Sequence, residues 1–218
     1  MIGNRRRGDE NLRKRASTGQ VNSVEQRGAA SDAQTHRAPS CLIVLAHPRL
    51  DRSLINSTLA AEASSLRDVH VADLYDRYPD YQIDVAREQS MLLAHDVIGL
   101  QFPMFWYSMP ALLKEWFDLV WLHGFAYGGG APKLAGKTLF CAVTTGGDAD
   151  SYHPVGRNAY PVEDFLRPVE RTAALCGMHW ARPHILHDAP RLRGDRLSVA
   201  AKGYGPYIAA RLEERGVA

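Results

Sequence analysis

The sequence predicts an α/β protein: a five-stranded parallel sheet in the order 2-1-3-4-5, covered by helices on both faces. Short runs made almost wholly of apolar, branched residues recur along the chain, as strands buried on both faces require. Stretches of helical periodicity separate them. The alternation of the two is the signature of parallel strands joined by crossover helices.

Residues 41–46 (CLIVLA) make the first strand. Leu54, Ile55, Leu59 and Leu66 space out a helix over 54–66. Residues 69–74 alternate polar and apolar, as an edge strand does. A helical pattern over 85–93 leads into the apolar run 97–100. Over 110–122, Leu112, Leu113, Trp116, Phe117, Val120 and Trp121 form a helical stripe behind Pro110. Residues 139–143 give the fourth strand, 162–175 a helix, 179–186 the last strand and 199–215 the closing helix.

Charge divides the 218 residues unevenly. The first 40 hold eight Lys or Arg and four acids; the other 178 hold 18 and 20. The net +2 is therefore a +4 extension on a −2 body. Residues 1–39 have too few apolar side chains to offset the entropy of ordering them, so a disordered basic extension is expected there, with one domain over 40–218. No aromatic accompanies the arginines of the extension, and the acidic body offers nothing to nucleic acid. No apolar run approaches the length of a membrane-spanning helix. The three cysteines include no C-x-x-C pair and read as small core residues.

In open α/β sheets ligands bind beyond the carboxyl ends of the strands. After the first strand, His47, Arg49 and Arg52 precede Ser53, Leu54, Ile55 and Asn56, where a helix opens without a G-x-G-x-x-G. Helix-start amides with hydroxyl and amide side chains suit a phosphate; a plain N-cap at Ser53 is the competing reading. After the third strand come Pro103, Met104, Phe105, Trp106 and Tyr107, either a platform for a planar ligand or a lid on the next helix. After the fourth come Thr144, Thr145, Gly146 and Gly147, either ligand donors or a tight turn. Three such loops at adjacent strand ends together fit a flavin mononucleotide.

Near misses fail on context. Residues 130–138 have one residue too many for a phosphate-binding P-loop and precede a strand instead of following one. His184 and His187, on a strand, point to opposite faces, so no metal site is expected.

The ordered set of motifs resembles the flavodoxin-like NAD(P)H:quinone oxidoreductases, and within them the KefF-type ancillary proteins of glutathione-gated potassium efflux. The matching residues are Ala46-His-Pro48, Ser53 and Asn56, Asp73-Leu-Tyr75, Tyr78-Pro-Asp80, the aromatic loop 103–107, Pro110, Ala111, Leu113, Lys114, Trp116, Asp118, the segment 123–128, Gly136, Lys137 and the loop 144–147. They span about residues 41–190. The resemblance implies FMN, with FAD disfavoured by the short chain. His47, Ser53 and Asn56 would hold the phosphate, with backbone contacts from Leu54 and Ile55. Pro103, Met104, Phe105 and Trp106 would line the ring; Thr144, Thr145, Gly146 and Gly147 would donate to its pyrimidine edge. It further implies hydride transfer from NAD(P)H to a quinone by ping-pong kinetics. A cytoplasmic homodimer is implied, with a regulatory role docked on a potassium efflux antiporter at the inner membrane face as the alternative. Trp121, Phe125 and Tyr127 offer apolar area for the dimer. Related reductases carry a Tyr and a His after the Thr-Thr-Gly-Gly loop. Tyr152 matches the first and is the one catalytic candidate, whereas the His position falls near Asn158. Phe105 replaces a common Gln and makes the pocket less polar.

Overall fold

A computed structural model describes residues 37–216. Of the expected extension, residues 1–36 lie outside the described residues. Arg37 is described, and its guanidinium pairs with Asp96 at 2.9 Å.

Strand β1 (Cys41–Leu45) lies between β2 (Val69–Asp73) and β3 (Val97–Pro103), and β4 (Thr138–Thr144) follows β3. All pairings are parallel, and with β5 (His179–Trp180) beyond β4 the order β2-β1-β3-β4-β5 is the one expected. The wholly buried strands β1, β3 and β4 put alternate residues on opposite faces. Leu42, Val44, Ile98, Leu100, Leu139 and Cys141 belong to one core. There they meet Leu92 of helix α3 (Val85–Ala94), Leu113 and Trp116 of α4 (Ala111–Val120), and Val169 of α6 (Arg167–Leu175). Cys41, Ile43, Val97, Phe140 and Ala142 belong to the other. Their partners are Ile55 and Leu59 of α1 (Leu54–Ser64), Leu197 of α7 (Gly194–Lys202), and Tyr204 and Ile208 of α8 (Tyr204–Gly216). Two apolar faces explain the unbroken apolar runs. Gly99 is required where the sheet is tightest, because a Cβ there would collide with Phe140 and Ile43.

Three expected elements are each split in two. The last strand, expected over 179–186, is β5 (His179–Trp180) and β6 (His184–Leu186), both paired with β4. Leu139 pairs with Trp180 but Ala142 pairs with His184, so the edge strand carries one extra residue around Pro183. A proline cannot donate to the ladder, and a bulge at a sheet edge absorbs it. The helix expected over 162–175 is α5 (Val162–Phe165) followed by α6, with Pro168 starting the second. The closing helix is α7 and α8, divided at Gly203. The short helix α2 (Leu74–Arg77) caps on Asp73, whose carboxylate accepts from the amides of Tyr75 and Asp76.

The cysteine expectation agrees with the structure: Cys41, Cys141 and Cys176 are buried, free, and their thiol pKa values are pushed up by burial. Trp121 is buried in its own chain and stacks on Phe117 at 4.4 Å, so the apolar area expected of it at a dimer contact is already spent. Lys137 of the P-loop lookalike donates to the carbonyls of Leu93 and His95, which ties it to the fold.

Candidate functional site

Two hollows open at the carboxyl ends of the strands, and Met104 and Gly146 line both. The larger, about 460 Å³, is lined by His47, Ser53, Leu54, Ile55, Asn56, Pro103, Met104, Phe105, Thr144, Thr145 and Gly146. The smaller, about 260 Å³, is lined by Trp106, Gly147 and Tyr152 with Tyr107, Arg157 and Asn158. Apart from Arg49, every residue singled out in the sequence for cofactor or catalysis thus borders one hollow or the other.

Asn56 organises the larger hollow. It is buried in the first turn of α1, and its Nδ2 donates to Ser53 Oγ and to Thr144 Oγ1, each at 3.0 Å. Gln101, buried on β3, donates to the Asn56 carbonyl at 3.0 Å. One side-chain amide therefore ties the first loop to the fourth strand. Ser53 makes no capping bond with its hydroxyl, contrary to the competing reading of a plain N-cap. The first amides of α1 have no intrahelical acceptor and carry the positive end of the helix dipole. His47 Nδ1 accepts from the Arg49 amide at 3.1 Å, which leaves the ring proton on Nε2 as a donor. Burial lowers the pKa of His47, against the pull of Asp51. Arg49 is paired with Asp51 at 2.8 Å, so Arg52 is the arginine of this loop that lines the hollow.

The aromatic loop is a hairpin. Phe105 and Ser108 exchange both backbone bonds, at 2.9 and 3.0 Å, and Trp106 and Tyr107 between them have φ of 49° and 63°. Two left-handed residues in succession make a type I′ turn, which ordinarily takes Asn-Gly. Here it holds two large aromatics at a conformational cost. Trp106 is 94% exposed, whereas Tyr107 stacks on Phe165 at 5.0 Å and donates to Asn158 Oδ1 at 3.3 Å. Phe105 meets the His47 ring edge-on at 6.2 Å. Burial, helped by Tyr107, raises the pKa of Tyr152, so its phenol stays protonated and able to donate.

A fourth loop escaped the sequence reading. The turn after β6 brings Ala189, Pro190 and Arg193 to the larger hollow, facing the Ser53 loop. The rule that ligands sit at strand carboxyl ends covers this loop too. No composition signal marks it, and its position depends on the bulge at Pro183. His187, just past β6, sits beside Thr145, with Nδ1 3.1 Å from the Thr145 hydroxyl. His184 lies elsewhere, stacked on Tyr204 at 5.2 Å, and among the described residues no group of His, Cys, Asp or Glu is arranged to hold a metal. Among the same residues no helix is long and apolar enough to cross a membrane.

A family model described as a flavodoxin-like fold matches residues 39–205. The chain belongs to this flavodoxin-like family. Among its flavodoxin-like relatives is the glutathione-regulated potassium-efflux system ancillary protein KefG of Pectobacterium carotovorum, 49% identical over 81% of this chain and 96% of that protein. The resemblance to efflux ancillary proteins holds, and the relatives bear the name KefG. General stress protein 14 of Treponema denticola, solved in complex with FMN, superposes with a TM-score of 0.75 at 34% identity, over 79% of this chain and 99% of that one. A NADPH-quinone reductase from P. pentosaceus superposes with a TM-score of 0.71 at 32% identity, over 77% and 96%.

Proposed function

We propose that this protein is an FMN-dependent NAD(P)H:quinone oxidoreductase. The observation that carries the reading is the Asn56 hub, which joins a helix-start anion site to a Thr-Gly edge beside an aromatic loop. The likeness to an FMN-bound protein and to a quinone reductase supports it.

The donor set fits the cofactor. The free amides of α1, the Ser53 hydroxyl, the neutral His47 and the guanidinium groups of Arg52 and Arg193 suit a phosphate. Pro103, Met104, Phe105 and Trp106 supply apolar and aromatic surface for a planar ring. The amides of Gly146 and Gly147 have no backbone acceptor and remain available to a ring edge. When bound, FMN would supply two-electron hydride chemistry. The chain's own work is to orient and to stabilise charge. Amide donors at positions 146 and 147 favour negative charge at the pyrimidine edge, and the protonated Tyr152 phenol offers a further hydrogen bond from the smaller hollow. NAD(P)H and the quinone would take turns over the exposed Trp106 loop, which gives ping-pong kinetics.

The purified protein, reconstituted with FMN, is expected to show bound-flavin absorbance and to oxidise NADH or NADPH with menadione. Failure to take up flavin would sink this reading.

A second reading is favoured by the name of the relatives, which match over four-fifths of the chain: the protein docks on a potassium efflux transporter at the membrane face. The two are compatible. Pull-down with the cytosolic domain of such a transporter tests it, and a Trp106→Ala variant that binds the transporter without quinone turnover would separate the two roles. A homodimer belongs to the same proposal, with Leu122 and Tyr127 as exposed apolar residues beyond α4. Sedimentation at micromolar concentration checks it.

A further inference from the structure

The Thr145–Gly147 loop carries a hydrogen-bond chain whose proton directions can be worked out. Thr145 Oγ1 donates to the Gly147 carbonyl at 2.8 Å, and the Asp188 amide donates to the same carbonyl at 2.8 Å. A carbonyl only accepts, and a threonine hydroxyl has one proton. With that proton on Gly147, the 3.1 Å contact between Thr145 Oγ1 and His187 Nδ1 is a hydrogen bond only if the imidazole donates. In this arrangement His187 carries its proton on Nδ1 and leaves Nε2 as a lone pair. The surroundings fit a neutral ring: burial lowers its pKa, opposed by the charges of Glu163 and Asp148. The ring lies 5.5 Å from that of Tyr152, which packs on the loop at Gly147. Backbone bonds lace the same corner, from the Thr145 amide to the Leu186 carbonyl and from the Ala189 amide to the Thr145 carbonyl, both 2.9 Å.

We propose that His187 is a positioning residue for the cofactor loop: its Nδ1–H holds the Thr145 hydroxyl, which holds the Gly147 carbonyl and leaves the Gly146 and Gly147 amides free for the ligand. The proposal rests on the flavin reading for the identity of that ligand, but the latch is a property of the chain alone. It makes the last strand, which touches neither the ring nor its phosphate through His187, a determinant of flavin affinity.

The test is a set of FMN titrations read by fluorescence, with one spectroscopic measurement on the protein without flavin. His187→Leu removes the donor and is expected to weaken FMN roughly three- to tenfold, the effect of one hydrogen bond. His187→Asn places an amide N–H where Nδ1–H was and is expected to bind within about twofold of the original protein. Thr145→Val breaks the chain at its middle, so adding His187→Leu to it is expected to cost nothing more. Additive losses, or His187→Asn binding no better than His187→Leu, would overturn the proposal. Nitrogen NMR of the flavin-free protein at pH 8 is expected to show His187 protonated on Nδ1; a ring protonated on Nε2 overturns the latch even if the leucine variant fails to fold. If the protein takes no FMN at all, the flavin reading fails, and the NMR result alone still decides the latch.

Discussion

The two hollows at the top of the sheet are built by opposite means. The larger is walled by strand ends and the start of a helix, and its polar side chains are buried and hydrogen-bonded to one another, as Asn56 is to Ser53 and Thr144. The smaller is walled by a hairpin whose tip, Trp106 and Tyr107, sits in a left-handed conformation with the indole in solvent. A site fed by strands and helices is held by the same interactions that hold the core. A site made from a strained loop is held against local preference, and such strain collects where a segment serves a ligand. Under the flavin reading proposed above, the first hollow would hold the phosphate end of the cofactor, and the second, with Trp106 and Gly147, would hold the ring edge and the substrates that visit it.

Substitutions can break that contrast. Asn56→Leu should have the largest effect, because it removes two hydrogen bonds and leaves the buried Thr144 hydroxyl unpaired. A loss of about 2–3 kcal/mol in unfolding free energy is expected by urea titration, together with loss of FMN binding. Replacing Trp106 and Tyr107 by Asn and Gly should do the reverse in the smaller hollow. The turn then has the residues its geometry favours, so stability should rise by about 1 kcal/mol while quinone turnover falls at least tenfold. A destabilised variant would show that the aromatics hold the fold together.

Acid should weaken the protein through its histidines. His47, His70, His184 and His187 all have pKa values lowered chiefly by burial. The unfolded chain, with ordinary histidines, then binds more protons below about pH 6.5. Stability is full above that value and is lost progressively as pH falls from there to the lower, folded-state values. The urea midpoint should be level from pH 8 to 7 and fall below about 6.5; a midpoint that rises with acid would contradict this. Removal of residues 1–36, which keeps the Arg37–Asp96 pair, should have the smallest effect. Flavin affinity should change less than twofold and stability by under about 0.5 kcal/mol.

The legible parts of this protein are those set by local pattern. A strand buried on both faces must be apolar at every position, so β1, β3 and β4 stand out in the sequence. Loops crowded with hydroxyls, glycines and aromatics at their carboxyl ends stand out for the opposite reason, since that mixture breaks off the unbroken aliphatic run of a doubly buried strand. The illegible parts depend on what lies across the sheet. Nothing near Arg193 in sequence marks it, and His187 is noticeable only through its spacing from His184, which points to a metal motif and not to Thr145. Pro183 inserts one residue into the pairing with β4, and that shift determines which side chains of the last segment reach the hollow. Asn56 is legible as a helix-start amide but not as a hub, because Thr144 is 88 residues away.

Hydrophobic periodicity and turn chemistry act over a few residues, so the α/β class and the three polar and aromatic loops after β1, β3 and β4 are readable from local pattern, and the strand order follows as the usual arrangement of five such alternating strands. The bulge in the last strand, the fourth loop at the larger hollow, the burial of Trp121 and the reach of His187 to Thr145 become visible in the folded chain alone. Each of these depends on register between elements distant in the chain, which packing sets and local sequence does not record.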